Sequence, residues 1–349
     1  MKKYSFKFLS IIALLVIGAC HKTETTTAIT PNLNINYAAA FVVNGGDNNL
    51  QVVDLTTLKV RETIGLNGAS FPHHIYFNND KSLMAVAIIS QDVSAGHAGH
   101  GSSGATGYKV IVLDTKTGNE HHILTTTALP HNAIFSPDGK ELWVGQGADA
   151  GEVFVFSTTD FTKKNTIKVG KTPSEVTFST DGSLVFVANT GDASVSVIDP
   201  ATKTVKKTIT VGATPVGAWA APNGKMYCDN ETDKTVSEID VKLQSITETI
   251  TLGFKPGYVA YNTHTKELWV SDATNGKVVY YQIVSAKWEK KGEIITGADA
   301  HAITFTEDHK TAYVTNQGAG TVSVISTPEH KVTATITVGS KPNGIILKQ

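Results

Sequence analysis

The chain has 349 residues, 41% of them hydrophobic, and its 30 basic and 31 acidic side chains leave a formal net charge of −1. That balance leaves no global field that would argue for a nucleic-acid partner, and no basic stripe interleaved with aromatics appears locally. Only two cysteines occur, Cys20 and Cys228, which leaves no disulfide framework, and the absence of a CxxCH motif excludes covalently attached c-type haem.

In chain order, the first feature is a leader: Lys2, Lys3 and Lys7 precede an apolar run from Phe8 to Ala19. About 12 apolar residues are too few to span a bilayer, and a basic start with small residues before the break reads as an export signal over residues 1–19. Ile17-Gly18-Ala19-Cys20 resembles a bacterial lipobox, which implies acylation of Cys20 and a lipid-anchored protein of the bacterial cell envelope, periplasmic or on the outer-membrane surface. An ordinary secretory signal is the alternative. The polar residues 20–34 read as a tether.

From residue 35 to the end the chain repeats. Pro72, Pro130, Pro173, Pro215, Pro256, Ala300 and Pro342 mark equivalent positions, at successive gaps of 43, 42, 41, 44 and 42 residues from Pro130 onward. The first gap, 58 residues, is one period plus about 16. The clearest unit follows Pro173: Val176 and Phe178, Leu184 and Phe186, Val195 and Val197, then Val205, Ile209 and Val211 form short alternating apolar runs. Asp181-Gly182 and Thr190-Gly191-Asp192 separate them as turns.

That pattern gives four strands per unit. Such a unit cannot bury its own faces, so neighbours must stack around an axis. The expectation is an all-β, seven-bladed β-propeller with four antiparallel strands per blade. The first copy begins with its second strand, Tyr37 to Val43, and the last is followed by an extra innermost strand, Gly344 to Lys348, so the two ends should share one blade.

Tyr313-Val314-Thr315-Asn316 with GAGTVSVIS and KVTATITVGSKPNG resembles the YVTN family of β-propeller repeats, and Phe186-Val187-Ala188-Asn189 with VSVID is a second copy. The resemblance covers roughly residues 35 to 349. It implies the fold. Similar propellers serve as surface-layer proteins, periplasmic binding proteins, lactonases and platforms of haem or copper reductases, so it does not single out an activity.

The residue after each marker enters the innermost strand and should ring the channel mouth: Asn343, His73, His131, Ser174, Val216, Gly257 and His301, followed by Gly344, His74, Asn132, Glu175, Gly217, Tyr258 and Ala302. The insertion, Ser90 to Gly107, carries His97 and His100 on the same face. His73, His74, His97, His100, His131 and His301 are therefore the candidate ligands of a transition metal, Cu or Zn, with Asn132, Glu175, Tyr258 and Asn343 as candidate ligand-binding residues around them.

Copper-reductase propellers are similar in using channel-mouth histidines, including an adjacent pair, but they add a cupredoxin domain and more histidines. The alternative is that His73, His131 and His301 only hydrogen-bond across the mouth, to water or Glu175. His121, His122, His264, His309 and His330 fall in outer strands or turns and read as solvated positions. Asp54, Asp114, Asp199 and Asp240 recur at one repeat position and read as turn residues. Cys228 reads as a small buried hydrophobe.

No GxSxG elbow or phosphate-binding glycine loop occurs. The resulting expectation is a non-catalytic binding or interaction module, its protein or small-ligand partner unspecified. A metal-dependent redox or lactonase-like hydrolytic enzyme on the same face, with Glu175 as base, is the alternative.

Overall fold

The structure is a computed structural model that describes Met1 and residues 33–94 and 106–349. Seven four-stranded antiparallel sheets are arranged as a ring, and no helix occurs among the described residues. The protein is a seven-bladed β-propeller. Blade 1 joins the two ends of the chain: Pro342–Lys348 pairs with Ala39–Asn44 as its innermost strand, followed by Asn49–Asp54 and Lys59–Gly65. Blades 2 to 7 follow as residues 72–125, 133–168, 173–210, 215–251, 256–295 and 300–337.

The apolar cores lie between blades, as stacking requires. Phe41 and Leu50 of blade 1 pack with Met84, Ile88 and Ile111 of blade 2. Trp269 of blade 6 packs with Ile303 and Val314 of blade 7. Outermost strands alternate toward solvent, as in Lys59–Gly65. At the near end, Leu33 N donates to Thr117 O at 3.0 Å and Ile35 is fully buried against blades 1 and 2, so the chain is tied to the ring from Leu33 onward.

One local device positions the channel residues. The ladder skips between Pro72 and Ile75, Pro173 and Val176, Pro215 and Ala218, Pro256 and Val259, and Ala300 and Ile303. In blade 1 it skips Asn343, and in blade 3 the inner strand begins only at Ala133. A bulge releases consecutive side chains from strict alternation. This is why both His73 and His74 can face inward. The residue before the marker is left-handed in five blades, Phe71, Thr172, Thr214, Asp299 and Lys341, with φ between 50° and 59°. For a non-glycine residue that costs roughly 1–2 kcal/mol, so interblade packing must offset a repeated strain to turn the chain into the channel.

Removing residues 344–349 should prevent folding of the ring. Loss of Ile345 and Leu347, which pack on Tyr313 and Val322 of blade 7, forfeits about 3–6 kcal/mol of burial out of a typical 5–15 kcal/mol, and exposes the edge of Ala39–Asn44. Circular dichroism and thermal melting check this; a cooperative transition near that of the full chain would contradict closure through the shared blade.

Candidate metal centre at the channel mouth

The bulged residues of blades 2, 4 and 7 and the residues that precede the inner strand of blade 3 meet at the channel axis. His73, His74, His131 and His301 are buried, and Glu175 and Asn132 are fully so. One ring nitrogen from each of His73, His74 and His131 lies within 4.8 Å of the other two. His73 and His74 stack at 4.3 Å with planes 17° apart, and His131 approaches both rings edge-on at 4.7 Å. His301 stands outside this trio, its ring centroid 6.2 Å from His73 and 6.1 Å from His74.

Glu175 organises the group. Its Oε2 lies 3.0 Å from His74 Nδ1 and 2.9 Å from His131 Nδ1, while Oε1 accepts from Tyr76 OH at 2.5 Å and Asn132 Nδ2 at 2.7 Å. Asn132 is held in turn by Val176, donating to its carbonyl at 2.8 Å and accepting from its N–H at 3.0 Å. The carboxamide thereby ties the start of the blade 3 inner strand to the inner strand of blade 4.

With Glu175 as carboxylate, His74 and His131 both donate from Nδ1. His73 Nδ1, 3.3 Å from the His131 carbonyl, also donates, because a carbonyl can only accept. In each neutral ring the lone pair is then left on Nε2. His74 Nε2 is buried and has no hydrogen-bond partner. Carboxylates and carbonyls bonded to the far nitrogen are what fix tautomer and orientation in histidine metal ligands.

The second layer is aromatic. Tyr258 is in hydrogen-bond contact with Tyr76 and packs against Trp219, ring centroids 3.8 Å apart and planes tilted by 35°. Enclosure and the neighbouring Glu175 push both tyrosine hydroxyls well above their usual range. Trp219 reaches the channel because its partner position is glycine: a Cβ on Gly217 would lie 2.0 Å from Trp219 Nε1. That indole N–H donates to Asp229 Oδ1 at 2.7 Å, and Gly217 N–H donates to the same oxygen at 3.0 Å. Burial raises the Asp229 carboxyl to about 7, with Glu231 adding to the shift.

The other sequence candidates divide. Asn343 Nδ2 donates to Pro72 O at 3.1 Å, joining blade 1 to blade 2 at the mouth. Tyr258 lies in the second layer. His97, His100 and Cys20 lie outside the described residues. His330, read from sequence as a solvated turn residue, instead clasps the buried Glu267 at 2.9 Å and stacks on Tyr280 at 4.0 Å. Lys203 makes the equivalent interblade bridge to Glu141 at 2.8 Å. Asp54 accepts from Thr56 and Thr57 N–H, as a turn residue should. Cys228 is buried in the core between blades 4 and 5, and burial raises its thiol. A surface groove of about 650 Å³ lies between blades 4 and 5 at their strand turns, remote from these histidines.

Sequence reasoning missed Tyr76, Trp219 and Asp229. Tyr76 had a usable signal, since it stands two residues beyond His74 on the same strand. Trp219 and Asp229 were readable only through the space at Gly217, which depends on the bulge.

A family model described as the choice-of-anchor I domain matches residues 145–271. The YVTN resemblance is not confirmed by that match, which carries a different description. Among curated proteins, none matches the chain.

Several solved structures share the fold. The Pseudomonas aeruginosa periplasmic gluconolactonase PpgL is 17% identical with a TM-score of 0.72, over 89% of this chain and 99% of that one. A putative 6-phosphogluconolactonase from Bacteroides fragilis is 13% identical with a TM-score of 0.71, over 90% and 99%. Kuenenia stuttgartiensis hydrazine synthase is 17% identical with a TM-score of 0.65, over 78% and 88%. At these identities the likeness is one of fold.

Asp229 makes a checkable electrostatic prediction. Its folded value, about 7, lies above the ordinary 3.8, so the native state holds a proton that the unfolded chain has lost and stability falls as pH rises through that window. Asp229→Asn keeps the acceptor for Trp219 and Gly217 but removes the titration. Between about pH 5 and about pH 8 the variant should gain on the wild type by on the order of 1.4 kcal/mol per pH unit until the carboxyl ionises. Denaturant midpoints at the two pH values measure this, and parallel pH profiles would contradict it.

Proposed function

We propose that this protein is a binding propeller of the bacterial cell envelope, lipid-anchored at Cys20, that holds a transition-metal ion, Zn(II) or Cu(II), through His73, His74 and His131 at its channel mouth. The observation that carries the reading is the three-imidazole cluster in which every Nδ1 is committed to an acceptor. Imidazole suits Zn and Cu, and three histidines are a known protein ligand set for Zn. Among its hydrogen-bonded partners Glu175 meets no lysine or arginine, so a divalent cation behind His74 and His131 would also compensate a buried negative charge.

The envelope location rests on the leader and Cys20, and the YVTN-like repeats are consistent with such a role. No helix among the described residues is long and apolar enough to cross a membrane. His97 and His100, on the Gly-rich insertion, would assist capture.

A second reading is metal-assisted hydrolysis of a sugar-acid lactone. It is favoured by the fold likeness to the gluconolactonase and by the room a three-ligand ion leaves for water. Metal-loaded protein that hydrolyses gluconolactone faster in wild type than in His74→Ala would support it.

The binding reading is tested by titrating untagged protein with Zn(II) and Cu(II). We expect about one equivalent bound, affinity lowered by roughly 10–100-fold in Glu175→Gln, which disturbs the Nδ1 acceptors, and binding abolished in His74→Ala. Affinity should also fall as pH drops through the imidazole range, because the ligating nitrogen must be unprotonated. No metal above background in the wild type would overturn the proposal. Deleting residues 95–105 should leave the melting temperature within a few degrees while weakening metal binding, since the insertion adds to the blade repeat rather than forming part of it; a large loss of stability would contradict that placement.

A further inference from the structure

From the spaces on either side of the histidine trio, and resting on the metal reading above, we infer that the chamber beneath His74 is the binding site for a small monoanion, of acetate or azide size, that completes the coordination of the ion. Among the described residues the trio separates two cavities. Toward the mouth, His73, His301, Glu231, Lys255 and Asp299 enclose about 20 Å³, room for one water. On the inner side, a chamber of about 140 Å³ is lined by His74, Tyr76, Tyr258, Ala302, Thr304 and Gly344, with Ile345 and Ile346. That is close to the volume of a cavity that takes up benzene, and so accommodates a ligand of a few heavy atoms.

The chamber has a sequence cause. At the ring level where blades 2, 3, 4 and 6 carry His74, Asn132, Glu175 and Tyr258, blades 7 and 1 carry Ala302 and Gly344. Gly344 cannot be enlarged without a clash: a Cβ there would lie 2.7 Å from His73 O. The space is therefore bounded by backbone on one side and by two tyrosines on the other. Tyr76, Thr304 and Ile346 are only half-buried, which opens that end toward solvent.

Charge decides the ligand class. A divalent ion with three neutral imidazoles and the Glu175 carboxylate retains one positive charge in a site removed from water, where an uncompensated charge is costly. No acidic side chain lines the inner chamber, whereas Glu231 and Asp299 line the mouth, with Lys255 Nζ 3.8 Å from Glu231. An anion is thus unopposed beneath the trio and opposed above it. The Ile345, Ile346 and Ala302 wall suits the short apolar tail of a carboxylate over a polyol.

The test uses the full chain loaded with Co(II), whose visible spectrum reports coordination, titrated with azide and with acetate. Wild-type protein should show a saturable spectral change with either anion. Ala302→Leu and Thr304→Leu, which fill the chamber from opposite ends, should keep the Co(II) stoichiometry and a melting temperature within a few degrees while weakening anion binding by about tenfold or more. If Ala302→Leu does not fold, the half-buried Thr304→Leu carries the test. Cobalt uptake without an anion response, or unchanged anion affinity in folded variants, overturns the chamber assignment alone. Failure to take up cobalt, zinc or copper removes the metal reading and this inference with it.

Discussion

Glu175 is a carboxyl group taken wholly out of water at the axis of a ring, and the inner architecture follows from what keeps it there. A buried carboxylate is tolerated only when its oxygens are satisfied. Here four donors arrive from two other blades: His74 and Tyr76 from blade 2, His131 and Asn132 from blade 3. Because blade 4 supplies the acceptor, three blades are fixed relative to one another through a single side chain. The same bonds orient two imidazoles, so the interaction that satisfies the core also prepares the proposed ligand set. Structure and proposed function thus draw on one group of hydrogen bonds, and substitution of Glu175 acts on both.

The irregular start of each inner strand, a bulge in six blades and a late beginning in blade 3, makes that hub possible. In a regular strand, adjacent residues face opposite sides, and His73 and His74 could not both reach the axis. The ladder skip at the start of six inner strands, preceded in five blades by a left-handed residue, and the late start of the strand in blade 3 free positions after the marker to turn inward, at a local backbone cost. Seven blades offer fourteen such positions by this count, and their occupants differ sharply. His73, His74, His131, Asn132, Ser174 and Glu175 occupy blades 2 to 4, Val216, Gly217, Gly257 and Tyr258 blades 5 and 6, and His301, Ala302, Asn343 and Gly344 blades 7 and 1. The asymmetry of a symmetric scaffold is what creates a site with a chamber beside it.

The ring was legible in the chain because a period near 42 residues with four alternating runs admits few other solutions, and counting strands at both ends, Tyr37 to Val43 and Gly344 to Lys348, anticipated the pairing of Ala39–Asn44 with Pro342–Lys348. The convergence of His73, His74 and His131 was legible for the same reason: equivalent repeat positions become neighbours around an axis. What could not be read was which of the four channel-mouth histidines, His73, His74, His131 and His301, form the tight set. His301 occupies the same repeat position as His73 and His131, yet blade 1, with Asn343 and Gly344, intervenes between blade 7 and blade 2. Tyr76, Trp219 and Asp229 escaped because their roles depend on rotamers and on the bulge, which carry no periodic signal. His330 escaped because its partner, Glu267, is 63 residues away in the neighbouring blade.

The central claim is that three imidazoles, aligned by one buried carboxylate and one carbonyl, are a metal centre. Anomalous diffraction at the zinc and copper edges, from crystals of untagged protein soaked in each metal, tests it most directly. The account predicts a peak at the channel axis within bonding distance of nitrogens of His73, His74 and His131, with Glu175 behind them uncoordinated. Peaks confined to surface histidines, or density in which these rings bond only to water and to Glu175, would contradict it.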